Sequence, residues 1–138
     1  MDFPKQTISF PIETDIVYVI GFESGGEFIP FYIGESTRNI GRFGDYLSAK
    51  FTAQTDFKVG VAINAIRRLG YKVSIKYQET RSRKKDEREL IAQARKAGFR
   101  LLNDLRGYSY KLAKAAEEEQ RIVHFISTQV CPRAESDR

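Results

Sequence analysis

The chain carries one cysteine, Cys131, and one histidine, His124, among 138 residues. One thiol closes no internal disulfide, and one thiol with one imidazole falls short of a zinc ligand set. Disulfide scaffolds and zinc modules drop out, and a reducing compartment fits. Long apolar runs are also missing, since no stretch approaches the ~18 residues that a membrane span needs. The opening MDFPKQTISFPIETD has no basic flank followed by an apolar segment, so neither export nor insertion is expected and a cytoplasmic location is. Internal repeats and low-complexity linkers are absent as well.

What is present is ordinary in amount and uneven in distribution. Hydrophobic residues make up 41% and charged residues 30%, which is the range of folded globular domains. The length suits one domain with a real core. The formal charge is +5 and the pI about 9.4. Residues 81–100, RSRKKDERELIAQARKAGFR, hold eight Lys or Arg against three Asp or Glu, a local excess as large as that of the whole chain. Such a run attracts phosphates, although a solvated helix face has the same composition.

Two β-branched and aromatic runs, DIVYVI (15–20) and FIPFYIG (28–34), flank a Ser-Gly-Gly turn signal and predict a hairpin. Both are apolar at successive positions, so helices are expected on both faces of their sheet. Beyond Gly34, Ser36 or Thr37 can cap a helix carrying Ile40, Phe43 and Leu47, although Gly41 and Gly44 weaken that helix. Residues 57–70 predict a helix with Val61, Ile63, Ala65, Ile66 and Leu69 on its apolar side and Gly70 as its stop. YKVSIKY (71–77) alternates as a strand, and 84–97 predict a helix ended by Gly98. A last helix is expected over 110–128, packing through Leu112, Ala116, Ile122 and Phe125 or Ile126, with the final ten residues fraying. The fold class is therefore α/β (α+β): a small, mainly antiparallel three-stranded sheet flanked by helices, in the order β-β-α-α-β-α plus a C-terminal helix.

Three groups of side chains carry chemistry. In the helix over 84–97 the apolar stripe is Leu90, Ile91, Ala94 and Ala97, and a 100° step per residue puts Glu87 within it while Glu89 points away. A carboxylate on a core-facing side needs a cation or hydrogen bonds; a place in the first helical turn would also favour it. Tyr18 and Tyr32 stand one on each strand of the hairpin, where tyrosine is at home in any core. Arg38 and Arg42 are four apart, on one side of a helix, and each offers a fork of donors to a phosphate.

Together, IVYVI (16–20), YIG (32–34), Arg42 eight residues after Gly34, ERELI (87–91) and LLND (101–104) resemble the motifs of the GIY-YIG nuclease superfamily. The resemblance spans residues 12–105, with 106–138 as a C-terminal helical extension and tail. It implies a metal-dependent endonuclease that hydrolyses phosphodiester bonds in nucleic acid, DNA above RNA. Carried over by position, Tyr18, Tyr32, Arg42, Tyr46 and Glu87 are catalytic, with Tyr18 the general base once the metal or Arg42 activates its phenol. Glu87 also binds Mg²⁺ or Mn²⁺, and Gly34 and Asn103 support the site. Arg38, Arg81, Arg83, Lys84, Lys85 and Arg88 are the expected contacts to the nucleic-acid backbone. The chain departs from the pattern at Ile16 and Val17, which replace Gly-Ile, and at Glu35, where repair-type members carry lysine. The competing reading is a catalytically inactive nucleic-acid-binding module of the same fold.

Overall fold

The computed structural model describes residues 6–7, 15–37, 54–105 and 115–132. Four strands, β1 Gln6–Thr7, β2 Asp15–Ser24, β3 Glu27–Thr37 and β4 Val73–Glu79, form one antiparallel sheet in the order β1-β4-β2-β3. Three helices accompany them: α1 Gln54–Arg68, α2 Arg83–Lys96 and α3 Ala115–Phe125. A 3₁₀ turn, Leu102–Asp104, follows α2, and a π-helical turn, Ile126–Val130, continues α3. This is the expected antiparallel sheet of three substantial strands flanked by helices, extended by the two-residue β1. Arg38, Arg42, Tyr46 and the helix expected over Ile40, Phe43 and Leu47 lie outside the described residues, as does Leu112. Among the described residues no helix is long and apolar enough to cross a membrane.

The β2–β3 hairpin turns through Gly25 and Gly26, whose φ angles of 59° and 81° meet the demand of a type I′ turn for two positive values. Its register slips once, between Ile20 and Gly21, so Phe31 is an extra residue opposite β2. Strand β2 is the centre of the sheet, and Ile16 to Ile20 are all buried. Helix α2 lies against β3 and β2 on the side of Val17, which lines a shallow depression with Leu90 and Gln93. The opposite face carries Tyr18, Ile20 and Phe22; α1 approaches β4, and the Tyr71 ring after it lies 4.7 Å from that of Phe22. The successive apolar residues of β2 thus reflect helices on both faces, as expected.

Strand β3 does not break at Gly34. It continues to Thr37, so Ser36 is a paired strand residue opposite Ile16 and not a helix cap. Gly34 serves a packing need instead: it sits directly across from Tyr18, and a Cβ there would lie 2.5 Å from both Cζ and Oη of the Tyr18 ring. The phenol lies over the bare backbone of its neighbour.

Helix α1 is buried on more than one side. Val59, Ala62, Ile63 and Ile66 form one buried side, while Val61 and Ala65, also buried, lie on another. The C-terminal helix supplies the second cover, because α3 and the π turn both contact α1, with Ile122, Ile126, Val130 and Cys131 buried. Residues 129–132, expected to fray, are thereby tied to the core, and Ala116, expected to pack, is exposed. Leu69 was another expected packing residue; it stands 52% exposed beyond the end of α1. Gly70 and Gly98 stop their helices, and after α2 the N–H of Phe99 returns to the carbonyl of Ala94 at 3.0 Å.

Gly34→Ala should cost about 1–3 kcal/mol in urea unfolding through overpacking against the ring. In a Tyr18→Val background, where no ring meets the new methyl, the same change should cost under about 1 kcal/mol. Equal costs in both backgrounds would mean that Gly34 is required for another reason.

Candidate functional site

One end of the sheet gathers the charged groups. The start of β2, the end of β3 and the end of β4 meet there, with Asp15 opposite Thr37 and Ile16 opposite Glu79. The Thr80 N–H bonds back to the Asp15 carbonyl at 3.0 Å, and α2 starts immediately after. Ser82 precedes the helix but makes no side-chain cap. Thr80 ties the approach to the helix instead: its hydroxyl accepts from the Ser82 N–H at 3.0 Å and donates to the Asp86 carboxylate in the first turn. Asp86 is thereby accounted for as a helix-start residue.

Glu87 is not. It is half-buried on the side of α2 that turns to the sheet, as the wheel predicts; Leu90 and Ile91 pack against the core and Ala94 is buried, whereas Glu89 is exposed. Burial raises its carboxyl above the usual carboxylate range, and the nearby Glu35 charge adds to this; Arg83, Arg88 and Lys84 pull the other way. Glu35 accepts a hydrogen bond from Arg83 Nη1, and Arg83 Nε lies 3.8 Å from Asp15 Oδ2. The structure therefore assembles Glu87, Glu35, Arg83 and Asp15. In the sequence, Glu87 stands out by its place in the helical stripe, Glu35 as a departure from the resembled motif and Arg83 as an expected nucleic-acid contact, while Asp15 carries no signal. Only the strand pairing reveals that Asp15 and Glu35 share an end.

The two tyrosines stand apart from this group. Strand alternation sends Tyr18 and Tyr32 to one face and Glu35 to the other. Their rings are 6.3 Å apart between centroids. Tyr18 is only 1% exposed, whereas Tyr32 is half-buried, so Tyr32 is the phenol with surface to offer. Ser36, on the tyrosine face, is buried, and its hydroxyl has no partner among the described residues.

Asn103 acts through the backbone. Its Oδ1 accepts from the Ile33 N–H at 3.0 Å and its Nδ2 donates to the Ile33 carbonyl at 2.7 Å. β3 is an edge strand, so this side chain replaces a missing neighbour for the residue between Tyr32 and Gly34. Beside it, Lys58 donates to the Leu102 carbonyl at 3.2 Å, and burial lowers its ammonium below the usual lysine range against the pull of Asp104. A lysine inside an apolar helical run was the available signal for that contact.

The basic run divides in two along α2. Arg81, Lys84, Lys85 and Arg88 are exposed around its start, with Lys85 4.0 Å from Glu89. Arg95, tied to Asp104, and exposed Lys96 and Arg100 stand at its far end. Cations at a helix start oppose the dipole, which destabilises the helix by about 0.3–1 kcal/mol each until an anion approaches. For a metal, the donor chemistry fits a hard divalent ion: Glu87 and Glu35 are oxygen donors, and a cationic group, the Arg83 guanidinium, is already seated on Glu35. Among the described residues no three His, Cys, Asp or Glu side chains converge, so most positions around such an ion would be filled by water or phosphate oxygen.

Comparisons with family models, with curated proteins and with solved structures gave no match.

Two measurements test this account. Because the Glu87 carboxyl is raised in the fold, the folded state gives up the proton less readily than the unfolded one, and stability falls as pH rises from the ordinary carboxylate range through the raised value. Glu87→Gln should therefore raise Tm at pH 7 by roughly 1–3 °C, a small gain because the group is partly exposed, and the gain should vanish below about pH 4. A variant less stable at pH 7 would contradict it. Asn103→Leu should cost about 1–3 kcal/mol, since both Ile33 backbone groups lose their partner, and should speed amide exchange at Ile33; unchanged exchange would remove the edge-strand role.

Proposed function

We propose that the protein is a metal-dependent endonuclease acting on nucleic acid, with DNA the expected substrate. The observation that carries this reading is Glu87, a half-buried carboxylate beside Glu35 at the start of a helix ringed by exposed cations. Independent arguments converge on it: the helical stripe, the motif resemblance and its electrostatic setting.

Phosphodiester hydrolysis needs a positioned water, removal of its proton, stabilisation of charge at phosphorus and help for the leaving oxygen. A divalent ion, when bound, neutralises charge on the phosphoryl oxygens and eases deprotonation of water. Glu87 would hold it, with Glu35 within its electrostatic reach. Arg42 would offer a fork of donors to the developing charge. Tyr32, the more exposed phenol, is better placed than Tyr18 to orient water or take its proton. Tyr18 would position it, and Tyr46 would assist at the phosphate. Arg81, Lys84, Lys85 and Arg88 would grip the backbone without reading sequence. The segment carrying Arg38, Arg42 and Tyr46 follows Thr37, which stands at the Glu87 end of the sheet.

A nucleic-acid-binding module without turnover is the second reading. The ion pair between Arg83 and Glu35 favours it, because it places a carboxylate and its counter-ion where repair-type members of the resembled family have a lysine.

Supercoiled plasmid, branched DNA and single strands incubated with Mg²⁺ or Mn²⁺ separate the two. The nuclease reading expects cleavage by the unaltered chain and a loss of about 10²-fold or more in Glu87→Gln and in Arg42→Ala, both still binding DNA. No cleavage under any condition, or equal cleavage by both variants, would sink it. Salt-sensitive binding without cleavage would leave the module, and no binding at low salt would remove both.

A further inference from the structure

We infer that Arg83 is a tethered cation competing with the divalent ion, and that Glu35 serves in this chain as a second oxygen ligand beside Glu87. The inference rests on the metal-binding reading of Glu87 given above and assigns roles to two residues which that reading leaves without one.

Arg83 and Glu87 are four residues apart on α2 and so share a side of the helix. From that side the Arg83 guanidinium reaches across to β3, where Nη1 donates to the Glu35 carboxylate, while Nε stands 3.8 Å from Asp15 Oδ2 at the start of β2. The pair is sheltered: the side chains of Arg83 and Glu35 are 32% and 21% exposed, against 68% and 56% for Lys85 and Glu89 on the same helix. Sheltering matters because screening by water and salt weakens a charge interaction far more at the open surface. Glu35 is also among the charges that act on Glu87. One cation therefore pairs with Glu35, stands near Asp15 and feels the charge of Glu87, without the three carboxylates converging on one point.

A guanidinium keeps its proton at any physiological pH, so it can leave Glu35 only by moving. Its long side chain springs from the first turn of α2, next to exposed Lys84, and rotation toward solvent would bring it among the cations assigned to the nucleic-acid backbone. A divalent ion approaching Glu87 has the opposite requirement. It gains from Glu35 only once Arg83 has released it, and it is repelled by the guanidinium while the ion pair holds. A lysine at position 35 would bring a positive charge to the metal directly. The glutamate and arginine together bring a ligand and a removable counter-ion.

The test is Mn²⁺ binding by the full chain at low ionic strength, read from the EPR signal of free Mn²⁺, which needs no catalytic turnover. Arg83→Gln should tighten Mn²⁺ binding by about tenfold. Lys85→Gln removes the same formal charge from an exposed pair and should change it by less than about twofold. Arg83→Lys, which keeps the charge, should stay within about threefold of the unaltered protein. Glu35→Gln should weaken binding by about tenfold, and Glu87→Gln should abolish it. The variants count when far-UV CD and a cooperative thermal transition match the unaltered chain; Arg83→Lys and Lys85→Gln preserve a test of charge and position if Arg83→Gln does not fold. Tightening by Arg83→Gln no greater than by Lys85→Gln, or binding by Glu35→Gln equal to that of the unaltered chain, would overturn the inference while leaving Glu87 as a metal ligand. Absence of Glu87-dependent binding in both the unaltered chain and Arg83→Gln would overturn the metal reading and this inference with it.

Discussion

The contact between the Tyr18 ring and the bare backbone of Gly34 constrains the rest of the fold. β2 is the central strand, and every residue from Ile16 to Ile20 is buried, so a ring as large as tyrosine's has to be stored within the sheet's own surface layer. Gly34 provides that space directly across the strand pair. The cross-strand match then favours this hairpin register, since a shift by one residue would set the ring against a side chain and turn Glu35 away from the face that α2 covers. The register in turn decides that Glu35 points toward α2 and that Ile33 offers its backbone to Asn103. The tyrosine of one motif and the glycine of the other are thus two halves of a packing arrangement, whatever chemistry they also serve.

Much of this was legible because local pattern and tertiary environment agree. The uninterrupted apolar runs of 15–20 and 28–34 announced strands covered on both faces, and the stops at Gly70 and Gly98 were visible because a positive φ falls to glycine. The wheel placed Glu87 on the sheet side of its helix for the same reason that it placed Ala94 in the core. What failed was knowledge of neighbours. A glycine after YI reads as a break, but here it is a strand residue whose missing side chain answers Tyr18. Ser36 reads as a cap, yet pairing with Ile16 carries the strand past it. Leu69 and Ala116 fit a helical stripe whose end or angle their partners do not reach. Asp15 carries no periodic signal at all, and only the antiparallel register places it near Arg83.

The same register shows why charge concentrates at one end of the sheet. Apolar side chains fill both faces through the middle of β2, leaving carboxylates only at the margins, where Asp15 begins the strand and Glu35 lies two residues from the end of β3. Helix α2 begins there, with Arg81 just before it, and brings Lys84, Lys85, Arg88 and Glu87 with it. The arrangement is locally unfavourable twice over: cations stand at the positive end of a helix dipole, and two carboxylates share a partly dry space. Arg83 offsets the second cost and leaves the first. Under the proposed function, a phosphodiester would relieve the first cost, and a divalent ion that displaced Arg83 would take over the second.

The strand pairing also limits the part the tyrosines could play in such a site. Tyr18 and Tyr32 lie on the face opposite Glu35, and their strand partners, Gly34 and Ile20, stand inward from the charged end. Under the proposed function, a phosphate held at Glu87 through a metal ion could reach a phenol only around the end or the open edge of β3. The edge at Ile33 is occupied by Asn103. At that end β3 stops at Thr37, and Arg38, Arg42 and Tyr46 follow it in sequence. In the proposed nuclease, the link between the two faces would therefore fall to Arg42 and Tyr46, which follow Thr37 in sequence, more than to Tyr18.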